Sequence, residues 1–183
     1  MDTMIKHEWR MDLLKKVSGN VLEVGVGTGA NLPFYPDDAS ITGIDFSKGM
    51  LNQARKKLEN LSLNNKVQLI EMDAQQLEFP DNSFDFVVAT CVYCSVPDPV
   101  RGLKEMRRVC KPQGKILMLE HMRSEHPVLG PIMDFLNPAV VRLWGANINR
   151  RTLDNISKAG LVIEKNEELM RTIMRRLVLT PNK

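Results

Sequence analysis

The run Val21-Leu22-Glu23-Val24-Gly25-Val26-Gly27-Thr28-Gly29 constrains this chain most. An apolar segment bearing one carboxylate runs straight into three glycines at alternate positions. Glycines let a backbone turn tightly and approach a ligand closely, because no Cβ stands in the way. Such a turn at the end of a strand marks the ligand-binding edge of an α/β sheet. It is expected to open a helix over Ala30 and Leu32, with free N–H groups facing the bound molecule.

The glycine pattern alone leaves the ligand open. Gly25, Gly27 and Ala30 also satisfy the G-x-G-x-x-A form of a dinucleotide fingerprint. Glu23, two residues before the first glycine, argues against that ligand. A negative charge there repels a pyrophosphate and suits a cation. The turn carries no Gly-Lys-Ser/Thr element, which excludes a P-loop. S-adenosylmethionine, with a sulfonium, an ammonium, a ribose and an adenine but no phosphate, meets these demands.

The 183 residues suffice for one domain with a sizeable core, read here as a single domain over 1–183. A net charge of +3 gives no argument for nucleic acid as a partner. Three cysteines do not read as a disulfide framework, and a reducing, cytoplasmic setting is the simpler inference. Charges interrupt residues 1–16, so no signal peptide is expected, and no apolar run is long enough to span a bilayer. Peripheral contact with a membrane stays open.

Hydrophobic spacing predicts an amphipathic helix over 3–18, with Met4, Ile5, Leu13, Leu14 and Val17 on one face. Strands are expected at 21–25, 40–46, 67–72, 84–90 and 115–120. Helices are expected at about 48–60, with Ser47 as N-cap, at 99–110 and at 151–159. Segments 161–168 and 172–179 have no helix between them and read as an antiparallel pair. The whole is α/β, a Rossmann-like doubly wound sheet of seven strands with helices on both faces. Residues 124–149 break the rhythm as a helical insertion rich in Pro, Leu, Val, Phe135 and Trp144. This insertion is an apolar lid, a homodimer face or plain core, and a contiguous apolar stripe is more often core.

Asp45 ends the second strand twenty positions after Gly25, the distance expected of an acid that accepts both ribose hydroxyls. Phe46 and Met50 are placed to pack on an adenine. Glu23 would act on the amino-acid end of the ligand, or serve as a buried strand acid satisfied by N–H groups. Cys91 and Cys94 form a C-x-x-C, but without a second pair or a His cluster no metal site is expected. His121, directly after the fifth strand, is a candidate proton acceptor, and Tyr93 is an alternative.

These segments together resemble the class I SAM-dependent methyltransferases of the type 11 domain. The resemblance rests on Leu22 to Asn31, Phe34-Tyr35-Pro36, Cys91 to Val96, Glu120-His121 and Asn147-Ile148-Asn149-Arg150. The closest motifs are those of the thiol methyltransferase-like and soluble phosphatidylethanolamine N-methyltransferase-like subgroup. The resemblance implies a mostly parallel sheet with an antiparallel last strand. It implies cofactor contacts at Glu23, Gly25, Gly27, Gly29, Asp45, Phe46 and Met50. It adds Asp73 and Ala74 beside the adenine, and Thr90 and Cys91 near the methyl group. The implied activity is methyl transfer to a small or lipid-like amine or thiol. An NAD(P)-linked oxidoreductase, which would lack an evident Tyr-x-x-x-Lys pair here, and a SAM-binding module without turnover remain the alternatives. The leader before the first strand is shorter than such relatives usually carry, which leaves membrane residence and full closure over the cofactor open. Arg142, Arg150, Arg151, Arg171, Arg175 and Arg176 either meet anionic lipid head groups or form a solvated basic face.

Overall fold

A computed structural model describes residues 5–61 and 66–183. The expected Met4 contact lies outside the described residues. The elements run α1 (His7–Leu14), β1 (Gly19–Val24), β2 (Ala39–Asp45), α2 (Lys48–Leu61), β3 (Val67–Glu71), β4 (Phe84–Thr90), α3 (Pro99–Val109), β5 (Cys110–His121), α4 (Leu129–Trp144), α5 (Thr152–Lys158), β6 (Val162–Met170) and β7 (Met174–Thr180). The sheet order is β3-β2-β1-β4-β5-β7-β6. β1 to β5 are parallel, and β7 inserts antiparallel between β5 and β6. The fold is therefore the Rossmann-like seven-stranded arrangement expected.

Burial explains why the central strands read as unbroken apolar runs. Along β5, Ile116 and Met118 enter one core, while Leu117 and Leu119 enter the other. The first core packs Leu103 and Met106 of α3 and Ile156 of α5 on the sheet. The second packs Leu13 and Leu14 of α1 and Leu51 and Leu58 of α2 on the opposite face. Capping fixes where helices begin. Asp98 accepts from the Arg101 N–H at the start of α3, where Pro99 has no N–H that needs an acceptor. The Ser47 hydroxyl accepts from the Met50 N–H at the start of α2.

Three expectations change. The glycine turn is followed by a single 3-10 turn, Leu32–Phe34, and not by a helix. Pro33 and Pro36 withhold the donors that a longer helix needs. The insertion forms α4, but it is not core: Phe135 is 84% exposed, and Leu143 and Trp144 are similarly bare. Arg175 and Arg176 are not a solvated basic face. They sit in β7, where Arg175 is buried beside Glu125 and Glu168, and Arg176 pairs with Glu167 and Asp12.

Because β1 lies between β2 and β4, the chain leaves it toward one side and returns on the other, and a crevice opens at the strand ends. Gly25 closes the floor of that crevice. Its φ is +67°, and a Cβ there would stand 2.5 Å from the Val92 Cγ2. Gly25→Ala is expected to destabilise the fold by about 2–4 kcal/mol. An unchanged urea midpoint would show that β1 and the segment after β4 do not meet this closely.

Candidate active site

The crevice widens into a cavity of about 690 Å³. Its wall includes Glu23, Gly25, Gly27, Asp45, Phe46, Met50, Asp73, Ala74, Thr90 and Cys91, ten of the residues singled out in the sequence. At Gly27 (φ +57°) a Cβ would meet nothing closer than the Gly25 carbonyl oxygen at 4.0 Å, so the bare backbone faces the opening. Gly29 plays a different part. It is buried, and a Cβ there would strike Leu32 and Ala54, so it lets the turn pack against α2.

Asp45 ties the two sides of the turn together. One carboxylate oxygen accepts from the Gly27 N–H (2.9 Å) and the other from the Ser47 N–H (2.8 Å). Each oxygen has a further lone pair for a hydroxyl. Phe46 is 79% exposed and Met50 partly so, which leaves apolar surface at the mouth beside this acid. Asp73, after β3, accepts from the N–H and the side-chain amide of Gln75. Gln75 also accepts from the Asp98 N–H, which links this wall to the start of α3.

The deepest part of the wall is a buried polar network. The Asn31 amide donates to Glu23 (2.9 Å) and to the Thr90 hydroxyl (2.9 Å), and its oxygen accepts from Arg10. Arg10, Asn31 and Glu23 are all buried, and Arg10 and Asn31 also line the cavity. The Tyr35 phenol lies against Glu23, and burial with that charge holds its pKa well above the usual value. Sequence reading passed over Arg10. The available signal was its place three and four residues before Leu13 and Leu14, on the apolar face of α1.

The fourth wall follows β4. Cys91 adopts a left-handed backbone (φ +53°), and its thiol pKa is raised by burial and by the Glu120 charge. The Cys94 thiol donates to the Cys91 carbonyl, so the C-x-x-C forms a turn with free thiols and not an extended strand. Beneath it, fully buried Glu120 accepts from the N–H groups of Val92 (3.0 Å) and Tyr93 (3.4 Å). Burial pushes the Glu120 carboxyl up to about 7, against the lowering effect of those two donors.

Three predicted residues are not brought to the cavity wall: Gly29, which packs the turn on α2, and the two candidate proton acceptors, Tyr93 and His121. Tyr93 is buried under α3 with its hydroxyl on the Met106 sulfur, because the turn after β4 directs it into the core. His121 ends β5 opposite Met174, and burial lowers its pKa. Neither contributes to the wall.

A doubly wound sheet with glycines and an acid at its switch point defines a protein that binds a nucleoside-containing ligand. Residues 22–118, just over half of the chain, match the family pattern described as a methyltransferase domain, and the chain belongs to that family. It is 45% identical over 114 residues to a phosphatidylethanolamine N-methyltransferase of Cereibacter sphaeroides, a match covering 62% of this chain and 56% of that one. It is 35% identical over 120 residues to a ubiquinone/menaquinone biosynthesis C-methyltransferase of Pseudoalteromonas translucida, covering 63% and 48% respectively. The chain thus spans about half the length of these curated relatives. Geranyl diphosphate methyltransferase, solved in complex with SAM, shares the fold with a TM-score of 0.77 at 12% identity, covering 94% of this chain and 82% of that one.

The Glu120 environment has a measurable consequence. The fold favours the protonated acid, so its charge becomes a cost as pH rises from the ordinary carboxylate range to about 7. Stability contributed at this position therefore falls across that window. Glu120→Gln keeps an acceptor for Val92 and Tyr93 and removes the charge. In thermal denaturation it is expected to match the wild type near pH 4.5 and exceed it at pH 8, by at most about 3 kcal/mol. A variant less stable than the wild type at pH 8 would contradict this.

Proposed function

We propose that this chain is a single-domain, SAM-dependent methyltransferase that acts on a lipid-like acceptor through an amine or thiol. The observation that carries the reading is the charge of the cavity wall. Among the described residues of the wall, Glu23, Asp45 and Asp73 supply three carboxylates and Arg10 a guanidinium, with no lysine or histidine. Such a wall repels a pyrophosphate and suits a ligand with two cationic groups and one carboxylate. This counts against the NAD(P) alternative.

The residues present fit the donor. In this reading Asp45 accepts from the ribose hydroxyls, while Phe46, Met50 and Met72 supply apolar surface for the adenine beside Asp73 and Ala74. Arg10 pairs with the donor's carboxylate, and Glu23, held by Asn31, sets a negative potential for its ammonium. When bound, SAM would supply a sulfonium-activated methyl group, which an acceptor lone pair would take in line as the S–CH₃ bond breaks and S-adenosylhomocysteine leaves. Ser95, Val96 and Pro97 continue the wall beyond Thr90 and Cys91, where the acceptor would enter in this reading. The chain then contributes mainly orientation and exclusion of water, effects worth up to roughly 7–11 kcal/mol in well-oriented systems. Neither Tyr93 nor His121 is given a proton-transfer role, since neither lines the cavity.

A lipid-like amine acceptor draws support from the relative named phosphatidylethanolamine N-methyltransferase, and the relative named ubiquinone/menaquinone biosynthesis C-methyltransferase supports the lipid-like class but not the amine or thiol. The reading places the protein in the cytoplasm, peripheral to a membrane. Its free thiols suit a reducing compartment, and no helix among the described residues is long and apolar enough to cross a bilayer.

By titration calorimetry the protein is expected to bind SAM and S-adenosylhomocysteine but not NAD. Asp45→Ala should weaken SAM binding by tenfold or more, a loss of about 1.4 kcal/mol or greater. Arg10→Met should do the same while leaving adenosine binding near the wild-type value. Binding of NAD in preference to SAM, or no methyl transfer from labelled SAM to amine- or thiol-bearing lipids, would overturn the proposal.

A further inference from the structure

α4 is put together the wrong way round for a helix of a water-soluble domain. Its inward side is tied to the body largely by polar contacts. Asp134 accepts from Arg123 and from the Asn149 amide. Asn137 donates to Asn147 and accepts from the Ile148 N–H. Only Gly130 and Met133 of α4 are buried. The outward side carries Ile132, Phe135, Leu136 and Leu143, at spacings of three, four and eleven residues from Ile132 that put them on one face, and Trp144 stands exposed in the last turn beside it. A contiguous exposed apolar surface of this kind marks a contact with something outside the chain.

Charge narrows what that something is. From Pro127 to Leu153 the sequence holds three arginines (Arg142, Arg150, Arg151) and a single acid, Asp134, which is already held by Arg123. Arg142 and Arg151 are exposed. We propose that the outward face of α4 is a membrane-docking surface that seats the protein on a bilayer with anionic headgroups. Ile132, Phe135 and Leu143 enter the acyl boundary, Trp144 lies at the headgroup level, and Arg142 and Arg151 meet lipid phosphates. A second copy of the chain is a poorer occupant. Two-fold pairing through this face would bring arginines together without acids to oppose them.

The position of α4 gives the contact a use. Asn147, just beyond its end, donates twice to the Cys94 carbonyl, and Arg150 donates to the Val96 carbonyl. Val96 belongs to the cavity wall. Docking through α4 would therefore hold this wall of the cavity beside the bilayer that carries the acceptor. This use rests on the lipid-acceptor reading above, whereas the docking itself does not.

Vesicle flotation tests it with the full chain, with no SAM present. The protein is expected to float with phosphatidylcholine vesicles containing phosphatidylglycerol, less with phosphatidylcholine alone, and less again at high salt. Phe135→Glu with Leu143→Glu changes only exposed positions and should lower partitioning roughly tenfold or more. Arg142→Gln with Arg151→Gln should remove the preference for anionic vesicles. Calorimetric SAM affinity, read on the same preparations, should not move. Wild-type flotation by the double glutamate variant, no flotation by the wild type, or a dimer in sedimentation that only the glutamate variant dissociates would overturn the assignment. Vesicle binding without SAM binding would instead remove the proposed function and leave the docking surface standing.

Discussion

The approach of the Gly25 backbone to Val92 is the constraint on which the rest of the site depends. The sheet order separates the exits of β1 and β4 onto two sides of a crevice. Only a residue without a Cβ lets the two sides come together at its floor. Asp45 then fixes the turn from the side of β2 through the Gly27 N–H, and Glu120 fixes the opposite wall through the N–H groups of Val92 and Tyr93. Two carboxylates from two strands thus act on backbone, and the cavity shape follows from where they hold it.

The charges in this crevice are costly and are sustained by contact. Glu23 and Arg10 are both buried, and Asn31 joins them by giving its amide to one and its oxygen to the other. Burying ions is tolerated when hydrogen bonds replace water around them. Glu120 is the extreme case, since desolvation outweighs its two donors. A cavity built from such groups has its electrostatic preference set before any ligand arrives. In the function proposed, that preference is for cationic rather than phosphorylated molecules, which the glycine pattern alone does not decide.

The strands were legible in the sequence because a parallel strand buried on both faces must be apolar throughout, as Ile116 to Leu119 show. The placement of Asp45 was legible because its distance from Gly25 is set by the length of one strand-turn-strand unit. Other features were hidden for physical reasons. Pro33 and Pro36 cut the expected helix after the turn to a 3-10 turn. Apolar content in residues 124–149 does not say which way a helix faces, and α4 faces outward. Arg10 reads as a surface charge until its helix phase is compared with Leu13 and Leu14. Tyr93 lies next to the cavity in sequence, but the left-handed residue at Cys91 redirects the chain and sends the phenol inward.

The most direct measurement is a crystal structure of the protein grown with S-adenosylhomocysteine. The ribose hydroxyls are expected on Asp45, the adenine beside Phe46 and Asp73, and the amino-acid carboxylate on Arg10. A glycine turn left without ligand, or one that takes up a pyrophosphate when NAD is supplied instead, would contradict it.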